Sequence, residues 1–290
     1  MIKVGAVVLN YINYTETINC VESLLAQTDA KMEIAIVDNG SGNESVSVLR
    51  DKYKEYSNCY IIESGENLGY AKGNNLGIKF LKERGVKNIW VVNSDIVFTE
   101  NRITRDVMNA YEKGVGLINV TSYLLDGRKN FHVRYKKKLM ELRMLRTFLG
   151  GYWETITKKK ERKAKNTQTK IKNVMTAEKI KELNSQSKRG CEIHKGYYIV
   201  TGSVFMLTED FLNNYDGLFP ETFFYCEEYA TMLFLDRAGL KTAMVDTGIV
   251  LHKHKASTPK KTKKNYGLES SIKIMKLFFM NKEQIIKKYF

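Results

Sequence analysis

Short apolar runs alternate with segments of helical periodicity along the first hundred residues. The runs at 3–9, 33–37 and 59–63 are rich in valine and isoleucine and predict buried strands. Between them, residues 15–28 and 46–56 carry apolar side chains at helical spacing. Strands that alternate with helices are typical of an α/β fold built on a mostly parallel sheet.

Polar side chains end or interrupt these runs. Asp38 follows the second run, and Asn93 and Asp95 stand inside the apolar stretch 88–98. If the backbone stays extended, Asn93 and Asp95 project to the same side at a strand end, where open parallel sheets bind ligands. A carboxylate out of water needs a cation or several donors, so Asp95 favours a divalent metal that holds a phosphate-bearing substrate. An Asp at such a position is also typical of a turn or a helix cap, and this alternative stays open.

A glycine-rich segment precedes the stretch around Asp95. Gly69, Gly73 and Gly77 recur at regular spacing and lead into a helix that reaches about residue 84. Glycine lets the backbone approach a ligand closely, and a helix start offers free N–H groups to an anion. The segment is neither a Walker loop nor a dinucleotide-binding fingerprint, so by itself it is a weak signal.

The net charge of the chain is concentrated in one segment. The 290 residues, 43% of them hydrophobic, are enough to bury a sizeable core. The formal charge of +15 arises from residues 128–195, which hold 21 Lys and Arg against 6 Asp and Glu. This segment predicts an acidic partner, either an anionic membrane surface or a lipid-linked glycan, with a solvated loop as the alternative. No RNA- or DNA-binding module surrounds it, so nucleic acid is not expected as a partner.

The cysteines and the hydropathy indicate a cellular compartment. Cys20, Cys59, Cys191 and Cys226 are widely spaced and form no CxxC pair, which suits reduced thiols. The N-terminus lacks the pattern of a signal peptide, and no window approaches 18 uninterrupted apolar residues. We therefore expect a cytoplasmic protein, soluble or attached peripherally to the inner face of the plasma membrane.

Four motifs in fixed order resemble glycosyltransferase family 2, and within it the rhamnosyltransferase-like branch. They are Val8-Leu9-Asn10-Tyr11, Val37-Asp38-Asn39-Gly40-Ser41, the loop with Asn67, Gly69, Gly73, Asn75 and Gly77, and Asn93-Ser94-Asp95. Together they extend over about a hundred residues, so their order is much more specific than any one of them.

The resemblance implies an α/β fold of the GT-A type, with a mostly parallel central sheet flanked by helices. A Rossmann-like nucleotide-binding half would be joined to an acceptor-binding half, and a divalent cation, Mn²⁺ or Mg²⁺, would help to hold the donor. The residues implied to bind the nucleotide sugar are Leu9, Asn10, Tyr11, Asp38, Asn39, Asn67, Gly69, Lys72, Asn75, Asn93, Ser94 and Asp95. Asp95 is also the implied metal ligand. Because Asn93 stands where many relatives have an acid, we expect weaker metal binding here.

The resemblance resumes after the basic segment. Residues 198–207 are similar to the family's acceptor-side strand, and Glu227-Glu228 to its catalytic acids, with Glu228 at the position of the general base. Ala230 and Phe234 depart from the family pattern. Glu227 is alternatively an acid that complements a helix dipole. His252 matches a late histidine that can complete the cation site of Asp95.

These interpretations divide the chain into four parts. Residues 1–127 form the nucleotide-sugar half, 128–196 a basic, partly helical insertion, 197–258 the acceptor half, and 259–290 an amphipathic helical segment. The last part either lies at a membrane interface or packs against the catalytic domain.

The predicted activity is transfer of a sugar, from dTDP-rhamnose or a UDP-sugar, to a hydroxyl of a saccharide acceptor with inversion. The expected setting is the synthesis of a bacterial surface polysaccharide. Two alternatives remain at this point: a sugar nucleotidyltransferase, which would share the acids at the strand ends, and an inactive relative that only binds glycans or nucleotide sugars.

Overall fold

One mixed sheet joins the N-terminal and C-terminal halves of the chain. The computed structural model describes residues 2–28, 30–129, 133–134, 146, 149, 175–187, 192–196, 198–199, 202–253 and 266–290. Most of the predicted basic insertion, and His254, lie outside the described residues. The strands in chain order are β1 (Ile2–Asn10), β2 (Ala30–Asp38), β3 (Cys59–Glu63), β4 (Ile89–Asn93), β5 (Ile96–Phe98), β6 (Val115–Leu124), β7 (Val133–Arg134), β8 (Glu192–Gly196), β9 (Tyr198–Ile199), β10 (Val204–Leu207) and β11 (Lys241–His252).

The helices lie between these strands and after the last of them. In chain order they are α1 (Tyr14–Leu25), α2 (Ser45–Tyr53), α3 (Tyr70–Glu83), α4 (Ile103–Asn109), α5 (Ala177–Ser187), α6 (Glu209–Leu212), α7 (Glu227–Arg237), α8 (Tyr266–Met275) and α9 (Lys282–Tyr289). A short 3₁₀ helix, Lys276–Phe279, follows α8.

The sheet is mostly parallel, as the sequence predicts. Within the described residues, nine strands form it in the order β3-β2-β1-β4-β10-β6-β11-β5, and β8 also pairs with β11. Strands β3, β2, β1, β4, β6 and β11 run in one direction, whereas β10, β8 and β5 run against it. Asn10 lies opposite Asp38, and Leu9 lies opposite Asn93. The polar ends of β1, β2 and β4 therefore meet at one edge of the sheet, where open α/β sheets bind ligands.

Both faces of the sheet are covered, which explains why the middle parts of its central strands are mostly apolar. Because side chains alternate along a strand, Val7 and Val8 of β1 point into different hydrophobic clusters. Val7 packs with residues of α3, α7 and the C-terminal helices, while Val8 packs with residues of α1 and α4. The strand ends are thus fixed between two packed layers.

The apolar stretch 88–98 forms two strands, so the premise of an extended backbone through Asn93 and Asp95 is wrong. β4 ends at Asn93, residues 94–95 form a turn, and β5 begins at Ile96. β5 leaves its neighbour β4 and pairs with the end of β11, so that Ile96 lies opposite His252. This turn carries Asp95 away from the end of β4 and towards His252.

The C-terminal helices pack against the sheet layer that contains α3 and α7. Ile274, Leu277 and Ile285 are fully buried in the same cluster as Phe234 of α7. The guanidinium of Arg237 donates hydrogen bonds to the backbone oxygen of Met280. Two interpretations were open for the C-terminal segment: a membrane interface, or packing against the catalytic domain. Its buried face packs against the domain. None of the helices in the described ranges combines the length and the hydropathy that crossing a membrane requires.

Truncating a buried side chain of this segment should destabilise the whole fold. Leu277→Ala should lower the free energy of unfolding by about 2–5 kcal/mol, because it leaves a cavity in a closed core. Ile272→Ala is the matched control, since Ile272 is 43% exposed and its truncation should cost less than about 0.5 kcal/mol. Urea unfolding measures both changes. Equal small losses would contradict the packing of this segment on the core.

Candidate active site

Asn10 and Asp38 close the ends of β1 and β2 and bind each other. Asn10 is fully buried, and its Nδ2 donates to Oδ2 of Asp38 over 2.7 Å. Oδ1 of Asn10 accepts a hydrogen bond from the Thr17 hydroxyl, and the Ser41 backbone N–H donates to Oδ1 of Asp38. Asp38 therefore acts as a turn former in this structure. Its contact with a nucleotide stays a prediction.

Asn39 ties the strand ends to the glycine-rich loop. Its Nδ2 donates to Oδ1 of Asn67 over 3.1 Å, and its Oδ1 accepts from the backbone N–H of Leu68 over 3.0 Å. Oδ1 of Asn67 also accepts the Gly69 backbone N–H. Asn39 is buried, so its amide shapes the loop from within.

Gly69 is required because the loop touches the backbone of Phe223 there, in the segment that precedes α7. Its φ is +79°, and a Cβ on it would lie 2.5 Å from the backbone oxygen of Phe223. The next residue, Tyr70, donates its backbone N–H to that same oxygen over 2.9 Å. The contact holds the start of α3 against the segment that precedes the two glutamates.

Asn75 makes a second connection between the halves. Its Nδ2 donates to the backbone oxygen of Leu218 over 2.8 Å, and its Oδ1 accepts the Leu218 N–H over 2.7 Å. It also lines a cavity of about 430 Å³ together with Lys82 and Tyr289. Both ends of the amide are engaged with backbone, which gives Asn75 a positioning role. Its predicted contact with the nucleotide sugar is untested.

The remaining implied donor-binding residues lie around this edge. Leu9 and Asn93 are half-buried neighbours on β1 and β4, and Ser94 is buried in the turn after β4. Tyr11 is half-buried in the turn after β1, and Lys72 is exposed in the first turn of α3. The structure thus brings them to the same end of the sheet.

Asp95 and His252 meet at the junction of β4, β5 and β11. Asp95 is 1% exposed, and its Oδ1 lies 3.5 Å from Nε2 of His252. The Lys253 backbone N–H donates to the backbone oxygen of Asp95, and the Lys253 ammonium pairs with Glu16 over 2.7 Å. The two implied metal ligands, 157 residues apart in the chain, are therefore neighbours in space.

This pair can hold a cation only with help from a ligand. Among the residues that the structure describes, no group of three or more His, Cys, Asp or Glu side chains is arranged to hold a metal ion. Mg²⁺ is commonly bound by one or two carboxylates together with substrate phosphates. A buried carboxylate beside an imidazole fits that arrangement, in which phosphate oxygens of a bound substrate would complete the coordination.

The paired glutamates begin helix α7 and are shielded from water. Burial raises the pKa of Glu227 to about 8, and the adjacent Glu228 carboxylate adds to the rise. Burial also raises the pKa of Glu228, against the opposing effect of its own backbone N–H. At neutral pH Glu227 is therefore mostly protonated. Of the two, Glu228 is the better candidate for a base.

Backbone strain is concentrated beside these residues. In the described part of the chain, the non-glycine residues with positive φ are Ile12, Tyr225 and Cys226. Tyr225 and Cys226 directly precede Glu227, and Ile12 lies in the turn after β1. Such conformations cost about 1–3 kcal/mol each and are typical of functional sites. The strain therefore points to the same two loops as the motifs do.

Tyr70 connects the start of α3 with the turn at Gly202. No motif in the sequence pointed to this residue. Its hydroxyl donates to the backbone oxygen of Gly202 over 2.5 Å. Burial raises its pKa well above the usual value, and the carboxylates of Glu227, Glu228 and Asp95 raise it further. Gly202 lies next to the glutamates, since a Cβ on it would come within 3.8 Å of Oε2 of Glu228, and the backbone oxygen of its neighbour Ser203 accepts the backbone N–H of Asn93 over 2.8 Å. An aromatic residue directly after Gly69 at a helix start is the only local signal for this role.

Two buried polar atoms lie beside the same site without a protein partner among the described residues. They are the Ser203 hydroxyl oxygen and Oε1 of Glu227. Ser203 follows Gly202, where a Cβ would come within 3.8 Å of Oε2 of Glu228. Buried polar groups are usually hydrogen-bonded, so these atoms indicate where a ligand could donate or accept.

Comparisons with known proteins agree with this geometry. A sequence model of Glycosyl transferase family 2 matches residues 6–174, more than half of the chain. The crystal structure of S. aureus TarS 1–349 is similar with a TM-score of 0.51 and 13% identity, covering 87% of this chain and 60% of that one. The same fragment in complex with UDP gives a TM-score of 0.49 at 14% identity, covering 85% and 58%. No curated protein sequence matches significantly.

The match with TarS is one of fold. The present chain spans only about three fifths of the TarS fragment. The predicted fold class, α/β of the GT-A type with a mostly parallel sheet flanked by helices, is confirmed. The roles of individual residues are not tested by this likeness.

The raised pKa of Glu227 should appear in the pH dependence of stability. Because its pKa rises from 4.5 to about 8 on folding, its contribution is largest below pH 4.5 and is lost as the pH rises to about 8. Glu227→Gln, which cannot ionise, should flatten the fall in the free energy of unfolding over this range. Glu55→Gln, at an exposed position, should keep the wild-type slope. Identical slopes in all three proteins would refute the buried, protonated state of Glu227.

Proposed function

Because the chain belongs to glycosyltransferase family 2, we propose that it moves a sugar from a nucleotide-diphosphate sugar to a hydroxyl of a saccharide acceptor with inversion. The observation that carries the proposal is the meeting of the start of α3, the end of β4 and the glutamates at Gly202 and Ser203. The Tyr70 hydroxyl donates to the Gly202 oxygen, the Asn93 N–H donates to the Ser203 oxygen, and Oε2 of Glu228 lies beside Gly202.

The proposed reaction is a single displacement. Glu228 accepts the proton of the acceptor hydroxyl, whose oxygen forms a bond with the anomeric carbon of the sugar. The bond between that carbon and the diphosphate oxygen breaks at the same time, and the nucleoside diphosphate leaves with the electron pair. A base works best here when its pKa is shifted towards neutrality in a partly dry pocket, and the raised pKa of Glu228 supports this role.

Glu227 has a different task in this scheme. As a protonated acid it donates a hydrogen bond and does not compete for the acceptor proton. Its Oε1, together with the Ser203 hydroxyl, is available to bind other hydroxyls of the sugars. In this scheme Glu228 is the base, and the adjacent Glu227 binds the sugars.

The leaving diphosphate needs positive charge. Asp95 and His252 would hold a divalent cation, Mn²⁺ or Mg²⁺, on the donor diphosphate. Such an ion neutralises the charge that develops on the departing nucleoside diphosphate. Asp95 is buried in the turn that leads into β5, and the pairing of Ile96 with His252 places it beside the histidine.

The donor and the acceptor follow from the resemblance of the four motifs. The rhamnosyltransferase-like pattern supports dTDP-rhamnose or a UDP-sugar as donor, with the nucleotide along the ends of β1 and β2. It supports a growing bacterial surface glycan as acceptor. Hydrogen bonds of Asn10 with Asp38 and of Asn39 with Asn67 fix the shape of this edge of the sheet, where open α/β sheets bind nucleotides.

Removing the base should stop transfer without unfolding the protein. Glu228→Gln should lower the rate of sugar transfer by at least about a hundredfold, because general-base catalysis is typically worth that much. The variant should keep its melting temperature and its binding of the nucleoside diphosphate. Glu283→Gln, an exposed glutamate in the first turn of α9, is the matched control and should transfer at the wild-type rate. Wild-type turnover in Glu228→Gln would exclude it as the base.

The by-product of the same assay separates the proposal from its rivals. A panel of UDP- and dTDP-sugars, with Mn²⁺ or Mg²⁺, should yield the nucleoside diphosphate. Release of pyrophosphate from a nucleoside triphosphate and a sugar phosphate would instead identify a nucleotidyltransferase. Binding without turnover across the panel and a range of acceptors would favour an inactive binding protein.

A further inference from the structure

We propose that an exposed row of side chains on the acceptor half docks the protein onto an anionic lipid bilayer. The row consists of Tyr225, Ile272, Lys276 and Phe279, and we call it the docking row. Their side chains are aromatic or aliphatic around one lysine, the composition that suits a bilayer interface.

The docking row is apolar and exposed. Phe279 is 84% exposed, Tyr225 is 52% exposed and Ile272 is 43% exposed. Ile272 and Lys276 are four residues apart and lie on one face of α8 as it continues. Lys276 and Phe279 are three residues apart in the 3₁₀ helix, where side chains at this spacing lie on the same side of the helix. An exposed apolar row of this kind requires an explanation, because most large apolar side chains are covered.

The row is held in place by the packing behind it. Ile274 and Leu277 alternate with its members and are fully buried. The orientation of Phe279 is fixed further by Arg237, whose guanidinium donates to the backbone oxygen of the preceding residue, Phe278, over 3.2 Å. The backbone on both sides of the docking row is therefore anchored to the core.

Charge identifies the partner as an anionic surface. Residues 254–265, directly ahead of α8, contain five lysines and no acidic residue. In the described part, Lys276, Lys287 and Lys288 are exposed on the C-terminal helices. Basic clusters beside an amphipathic helix bind anionic lipids. A second copy of the chain would bring the same lysines together, and their repulsion disfavours that occupant.

The docking row is connected to the acceptor side of the site. The Ser270 hydroxyl donates to the backbone oxygen of Phe224 over 2.9 Å, and Ser271 lies 3.8 Å from the Cys226 sulfur. Tyr225 therefore sits between α8 and the glutamates that begin α7. Resting on the proposed function, this placement implies that the acceptor saccharide is carried on a lipid at the bilayer to which the row binds.

Vesicle co-sedimentation tests the docking directly and does not depend on catalysis. The wild type should bind vesicles that contain phosphatidylglycerol and should bind pure phosphatidylcholine much less. Phe279→Glu should weaken binding to the anionic vesicles about tenfold or more, since it puts a negative charge where the exposed aromatic ring would enter the bilayer interface. Tyr56→Glu makes the same kind of change at a 43% exposed aromatic next to β3 and should bind like the wild type. Circular dichroism confirms that both variants are folded.

Several outcomes would overturn the proposal. Equal vesicle binding by Phe279→Glu and wild type would remove the docking row as the contact, as would failure of the wild type to bind. A concentration-dependent dimer that Phe279→Glu abolishes would assign the row to a second copy of the chain. Transfer to a water-soluble acceptor should be unchanged in Phe279→Glu, so loss of docking and failure of the proposed reaction are distinguished.

Discussion

The arrangement depends on one buried carboxylate and the turn that positions it. Asp95 is almost inaccessible to water, and a charge in that position must be compensated by neighbouring groups. The turn after β4 sends β5 across to β11, which places His252 beside Asp95 and Lys253 next to it. The sheet thus places a buried carboxylate at the end of an apolar strand. Under the proposed function, a cation shared with the donor diphosphate would compensate this charge.

The second constraint is the contact between the two halves of the chain. Gly69 accommodates the backbone of Phe223, and Asn75 binds both backbone groups of Leu218. These contacts involve no catalytic group, yet they set the position of the strained segment that leads into the glutamates. Tyr70 completes the connection through Gly202. The acids on either side of the site therefore keep a fixed relation to one another.

Local pattern was enough to predict the first βα units, because each strand and helix there has its own periodicity. Together with the family resemblance, it also named Asp95 and His252, which the structure places beside each other. It did not predict the turn at residues 94–95, since that turn exists because β5 pairs with β11, about 150 residues later. Nor did it find β6, whose apolar run is broken by Gly116 and Asn119. Tyr70 was missed for the same reason: its partner Gly202 is 132 residues away.

The central claim is that donor and acceptor meet between Asp95 and Glu228. A crystal structure of the protein with Mn²⁺ and a hydrolysis-resistant nucleotide sugar tests it most directly, because the anomalous signal of manganese locates the ion. The account predicts an ion peak beside Asp95 and His252, the nucleotide along the ends of β1 and β2, and the sugar directed towards Glu228. A nucleotide bound away from this edge, or a sugar remote from Glu228, would contradict it.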